Sequence, residues 1–227
     1  MKIITIPDIH GCTDWKKIIE LEKDQDLTIF LGDYVDHWTY SNDQIYDNLK
    51  DIMGFKYDNP NKVVLLYGNH DLQYLFAYNS HGCSGYRPEM YFDLHELFNK
   101  NINLFQAAYQ YKNYIWTHAG ISNGWMKTFN KEISADSFIE EFNTGGIHSK
   151  IYDVGKRRGG WNKFGGIFWA DMSETCTSYI KGFHQIVGHT KVKRIEKFGD
   201  ENGSIVFTDT MENKDLNIRD KYRALEI

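Results

Sequence analysis

Leu27-Thr28-Ile29-Phe30-Leu31-Gly32-Asp33-Tyr34-Val35-Asp36 is an apolar run that stops on a glycine and then delivers two carboxylates. Five apolar or β-branched residues closed by glycine predict a fully buried strand, and the Gly-Asp step marks the turn that follows it. Four more short apolar runs lead into Asp, His or Asn. Ile3–Ile6 leads into Asp8-x-His10, and Val63–Tyr67 into Gly68-Asn69-His70-Asp71. Tyr114–Thr117 leads into His118-Ala119-Gly120, and Gln185–Val187 into Gly188-His189-Thr190. Strand ends that bring Asp, His and Asn to one edge of a sheet are how an α/β fold builds a reactive site.

The connecting segments support an α/β reading. Trp15–Lys23 has near-helical apolar spacing behind Thr13 as a candidate cap, and Ser41–Met53 places Ile45, Leu49 and Ile52 on one face. Asp71–Tyr78, Met90–Phe98 and Phe138–Phe142 are further candidate helices, the last introduced by Ser134 or Asp136. Gly54–Lys62, with Asn59-Pro60-Asn61, is expected to be a loop, and Ser204–Thr208 and Tyr222–Ile227 to be strands. Glycines punctuate the stretch from Thr144-Gly145-Gly146 to Gly165-Gly166, as in surface loops able to roof a site. One domain over 1–227 is expected, with an insertion of loops and helix at about 123–166 near the site.

Composition narrows the functional classes. Hydrophobic residues make up 41% of the 227 and charged residues 25%, as in ordinary globular proteins. A net charge of −5 argues against a general nucleic-acid binder. Cys12, Cys83 and Cys176 are odd in number and widely spaced, which argues against a disulfide framework or a zinc ribbon. The chain opens directly on a strand, and no apolar run approaches the roughly 18 residues of a membrane span. A cytoplasmic location, with no membrane partner, is the expectation.

The six ligand types define a chemistry. Asp8, His10 and Asp33 supply one imidazole and two carboxylates; Asn69, His118 and His189 supply an amide oxygen and two imidazoles. One shared carboxylate would make two adjacent mixed nitrogen/oxygen sites, suited to Mn²⁺, Fe or Zn²⁺. Two ions roughly 3.5–4 Å apart clamp a phosphoryl group and generate hydroxide from a water between them. The set therefore predicts metal-assisted phosphoester hydrolysis.

These residues resemble the calcineurin-like metallophosphoesterase superfamily, whose pattern is D-x-H, G-D-x-x-D, G-N-H-[DE], H and G-H. Gly32-Asp33-Tyr34-Val35-Asp36, His118-Ala119-Gly120 and Gly188-His189-Thr190 are similar to the PPP-type serine/threonine phosphatases. Bacterial and phage protein phosphatases share that branch with symmetrical diadenosine tetraphosphatases. The resemblance covers positions 3 to 209, although 124–156 match nothing specific. It implies an α/β sandwich of two mixed β-sheets face to face, flanked by helices, with two divalent metal ions, most often Mn²⁺, at the strand ends. It implies Asp8, His10 and Asp33 around the first ion, and Asp33, Asn69, His118 and His189 around the second. His70 matches the family's general acid and Asp36 the carboxylate that orients it, unless Asp36 is only a helix cap. The implied reaction is in-line attack of metal-bound hydroxide on a phosphate monoester, first of all phosphoserine or phosphothreonine in a protein. Hydrolysis of diadenosine tetraphosphate or another nucleotide is the alternative, and a non-catalytic scaffold the remote one. Neither an oligomeric state nor a protein partner is indicated.

The chain departs from the family after Asp36. The usual Arg-Gly is replaced by His37-Trp38, so the arginine that grips phosphate is missing. A histidine lacks arginine's bidentate fork. Arg158 and Arg157, ahead of Gly159-Gly160, are the substitute cations, with Arg87 behind them and solvated loop arginines as the plain alternative. Asp171, in Trp169-Ala170-Asp171, is either an orienting carboxylate or a turn residue, and Asp71 is expected to cap Leu72–Tyr78. His81, His95, His148, His184 and Cys12 are expected to be structural. Tyr34, Trp38, Tyr40, Trp161 and Trp169 would permit stacking on a nucleobase, though aromatics more often pack cores.

Overall fold

Every side chain of Leu27–Phe30 (β2) and Val63–Leu66 (β3) is buried, as is every one of Lys2–Ile6 (β1) after Lys2. Burial on both faces is why these strands read as unbroken apolar runs. The computed structural model describes residues 1–75, 82–129, 138–144 and 148–227. β1, β2 and β3 pair in parallel. Phe105–Gln106 (β4) extends them in parallel, and the C-terminal strand Arg223–Glu226 lies antiparallel to β1 at the other edge. A second sheet holds Ala108–Tyr111 (β5), Tyr114–Thr117 (β6), His184–Val187 (β7), Glu196–Asp200 (β8) and Gly203–Phe207 (β9). Its order is β5-β6-β7-β9-β8; β6, β7 and β9 are parallel and the two edge strands antiparallel.

The two sheets face each other across Ile3, Leu27, Ile29, Leu66, Trp116 and Ile186. Each such side chain contributes about 1.5–3 kcal/mol by leaving water. Trp116 Nε1 donates to Thr5 Oγ1 at 2.8 Å, satisfying two polar atoms inside this layer and fixing β6 over β1. Helices Asp14–Leu21 (α1), Asn42–Asp58 (α2), Asn69–Leu75 (α3) and Tyr91–Lys100 (α4) contribute Trp15, Ile45, Leu72 and Leu94 to the larger core cluster. The α/β sandwich of two mixed sheets is as expected. Among the described residues, no helix is long and apolar enough to cross a membrane.

Several local expectations are corrected. Thr13 makes no side-chain cap, whereas Ser41 Oγ accepts from Gln44 N at 3.1 Å. α2 runs through Gly54 to Asp58 instead of yielding to a loop. Phe55 packs against Trp15 and Phe30, and Lys56 Nζ closes on the carbonyls of Pro60 and Val63, so tertiary contacts outweigh the roughly 1 kcal/mol cost of a helical glycine. β4, β5 and β8 carry no apolar run to announce them: β4 has two residues, and β8 is a charged edge strand. Ser134, Asp136, His81, Gly145 and Gly146 lie outside the described residues.

Candidate metal centre

The parallel strands of both sheets end at one edge, and their loops bring the expected ligands together. Four residues there, His10, Asp33, Asp36 and His189, adopt positive φ (43°, 51°, 64° and 63°). Among the described residues Lys112 is the one other non-glycine that does so. Left-handed backbone is unfavourable for side-chain-bearing residues and collects where geometry is functionally constrained. Gly68 has no room for a Cβ, which would strike the Asp33 carboxylate. That absence lets the loop after β3 close on the loop after β2.

The imidazoles are oriented through their far nitrogens. His10 Nδ1 lies 2.9 Å from the Val35 and Asp36 carbonyls, so it carries the proton and leaves Nε2 bare, 3.6 Å from Asp33 Oδ2. His118 Nδ1 likewise donates to Leu31 O at 2.8 Å, leaving Nε2 bare. That Nε2 sits 2.8 Å from Asn69 Oδ1, 3.2 Å from His189 Nδ1 and 3.4 Å from Asp33 Oδ2. Asn69 Oδ1 is also 2.7 Å from His189 Nδ1, because its Nδ2 is turned away onto Cys83 Sγ at 3.1 Å. Lone-pair atoms crowded in this way, with tautomers fixed by carbonyls, fit a divalent cation. His10, Asp33 and His70 form one group of donor atoms within 4.8 Å of each other, and Asp33, His118 and His189 a second.

Asp8 is set differently. Its carboxylate accepts from His189 N at 2.8 Å and lies 3.6 Å from His118 Nδ1. It also touches Asp209, which the sequence reading missed although it directly follows the apolar run Ser204–Thr208. Asp209 is 4% exposed and lines the same cavity as His10 and Asp33. Burial first, then the charges of Asp209 and Asp33, hold Asp8 well above the usual carboxylate range. A cation here would relieve that repulsion.

His70 Nδ1 meets Asp36 Oδ2 at 2.8 Å, leaving Nε2 4.0 Å from Asp33 Oδ2. Burial lowers the His70 pKa, but the Asp33 charge and the Asp36 hydrogen bond outweigh it and raise it to about 8. Asp36 is fixed in turn: Gln73 Nε2 donates to Oδ2, and Tyr74 OH to Oδ1 at 2.5 Å. Asp71 is not the cap of a helix beginning at Leu72, because α3 begins at Asn69. It accepts from Gly68 N, Asp33 N and Tyr34 N, each at 2.8 Å, and ties the two ligand loops together. Burial, then the Asp33 charge, raises it to about 7.

The cavity, of about 380 Å³, sorts the candidate cations. Arg158 lines it, held by Asp171 Oδ2 at 2.9 Å from Nε and by Thr190 Oγ1 at 2.5 Å from Nη2. Asp171 also caps the helix Met172–Thr175 through Ser173 N. Arg157 is exposed and off the cavity wall. His37 lines the cavity, but its Nδ1 accepts from Thr39 N and Tyr40 N, and Nε2 is 2.5 Å from Glu212 Oε1. Arg87 is spent on Asn42 Oδ1 and the carbonyls of His37 and Tyr40.

The family profile described as calcineurin-like phosphoesterase matches residues 1–201. No curated protein sequence matches the chain. Among solved structures, the cold-active protein-tyrosine phosphatase of a psychrophile, Shewanella sp., superposes with a TM-score of 0.56 at 15% identity, over 90% of this chain and 70% of that one. A protein serine/threonine phosphatase from Saccharomyces cerevisiae gives 0.53 at 13% identity, over 92% and 67%. At these identities the likeness is one of fold.

Proposed function

This chain belongs to the calcineurin-like phosphoesterases, and we propose that it hydrolyses phosphate monoesters at a binuclear divalent metal centre. The observation that carries this reading is the convergence of Asn69 Oδ1, His118 Nε2 and His189 Nδ1 beside Asp33, with His10 Nε2 3.6 Å from the same carboxylate. Asp8, His10 and Asp33 would hold one ion, and Asp33, Asn69, His118 and His189 the other. Ions bound there supply Lewis acidity at the phosphoryl group and activate the attacking water.

The chain's own residues do the rest. Arg158 neutralises phosphoryl oxygen, since its guanidinium is pre-set by Asp171 and Thr190 while both nitrogens of His37 are engaged. His70 gives its Nε2 proton to the leaving oxygen, and Asp36 keeps the ring oriented. Phosphorylated protein side chains are the first substrate class and nucleotide polyphosphates the second. The test compares kcat/KM for phosphopeptides and for diadenosine tetraphosphate with Mn²⁺-loaded protein. Turnover of the peptides with two ions bound is the expected result. Preference for the dinucleotide would reverse the order of substrates, and inertness towards both would leave a scaffold.

Asp209 offers a second check. If its carboxylate supports the first ion through Asp8, Asp209→Asn should weaken that ion by about 10–100-fold. Calorimetric Mn²⁺ titration should show one of two sites weakened. A two-site isotherm identical to that of the wild type would make Asp209 a bystander.

A further inference from the structure

Trp38 is 76% exposed and lines the cavity, yet the residues beside it are fixed by hydrogen bonds. His37 Nδ1 accepts from Thr39 N and Tyr40 N at 3.1 and 3.2 Å, and the His37 ring stacks on Tyr40 at 4.0 Å. From outside, the Arg87 guanidinium donates to the His37 and Tyr40 carbonyls. The residues on both sides of Trp38 are thus pinned while its indole is left in solvent on the cavity wall. Across from it is Gly85, where an added Cβ would come within 3.8 Å of the indole.

Other aromatics near the centre are committed. Tyr34 is buried with its hydroxyl on Leu66 O, Tyr40 covers His37, and Trp169 is buried edge-on to His189. Trp161 is 87% exposed but does not line the cavity. An indole carried on a pinned stretch of backbone and left uncovered has a large apolar face to offer.

Its place says what would cover it. In an in-line displacement the proton donor stands on the side of the leaving oxygen. His70 is oriented by Asp36, and Trp38 follows Asp36 by two residues, within about 7 Å along the chain. A ring bonded directly to the leaving oxygen falls within reach of such a side chain, whereas a nucleobase is set back behind its sugar. We propose that Trp38 is the platform on which an aromatic leaving group stacks, which makes aryl phosphate monoesters, phosphotyrosyl side chains among them, the substrate class of this site. The inference rests on the phosphomonoesterase reading. In the reaction the aryl-oxygen–phosphorus bond breaks and a water-oxygen–phosphorus bond forms. The phenolic oxygen takes the His70 proton, and the water's protons pass to phosphate and back to His70.

Binding of inert analogues separates stacking from reactivity. With Mn²⁺-loaded protein, phenylphosphonate should inhibit about 10–100-fold more tightly than methylphosphonate, the range that aromatic stacking supports. It should also quench indole fluorescence. In Trp38→Ala that ratio should fall towards one and the quenching should vanish, and Trp38→Phe should restore most of the ratio. A wild-type ratio near one, or a ratio that survives in Trp38→Ala, overturns the proposal. So does a phosphonate analogue of adenosine monophosphate that loses more affinity than phenylphosphonate in Trp38→Ala, because the platform then serves a base. If folded protein binds no phosphonate and cleaves no ester, the phosphoesterase reading fails with it.

Discussion

Asp33→Asn is expected to give a folded protein that retains neither metal ion and has lost its esterase activity. The loss should exceed the roughly 100-fold that removal of an outer partner costs, because both ion sites share this carboxylate in the proposed assignment. Burial pushes Asp33 upward, but the charges of His118 and His70 in their protonated forms overcome that and hold it well below the usual range, a stabilisation that bound ions would take over. Asparagine is nearly isosteric and tolerates the 51° φ of this position, so the turn itself should persist. Its amide oxygen can still accept from His70 N, now at 2.9 Å from Asp33 Oδ1. What it would lack is the negative charge that two divalent ions sharing this residue would need.

Metal analysis and thermal unfolding provide readouts apart from turnover. An ion present at 100 times its Kd stabilises the wild type by about 2.7 kcal/mol. The wild-type Tm should therefore climb with added Mn²⁺ and that of Asp33→Asn should not. A variant that keeps one ion would show that the two sites do not share Asp33.

The path to this centre was largely legible in the sequence because burial and chemistry change over within two or three residues. β1, β2 and β3 are buried on both faces, so their apolar runs are continuous, and the first polar residues after them stand at the sheet edge. The same rule reaches Asp209 after β9, which went unread because no second ligand type follows it. What the sequence hides depends on contacts across the fold. Gly54 stays helical because Phe55 finds Trp15 and Phe30. Asp71 becomes a clamp because Gly32 and Gly68 let two loops touch. His37 stands where a phosphate-gripping arginine was expected, yet Glu212, far along the chain, takes its Nε2. No local pattern could separate Arg158 from Arg157; Asp171 and Thr190 do so by anchoring only the former.

His70→Asn is expected to lower kcat by about two to four orders of magnitude while two ions remain bound. Geometry by itself also groups His70 with His10 and Asp33, as a third ligand would be. Metal content decides between the roles, since an acid can be removed without loss of an ion and a ligand cannot. The leaving group supplies a second discriminator. Serine-type alkoxides need the proton and p-nitrophenolate does not, so the defect should be largest on phosphoserine and smallest on p-nitrophenyl phosphate. The pH profile supplies a third. Because Asp33 and Asp36 raise the His70 pKa to about 8 against burial, the donor form is full in mildly acidic solution and empties as pH rises through that value. Ions bound to Asp33 draw off part of its charge, which leaves the Asp36 hydrogen bond as the main support and moves the fall to lower pH. Wild-type kcat for phosphoserine should decline on the alkaline side, and His70→Asn should lack that limb. Unchanged turnover with both ions in place would take the acid role from His70.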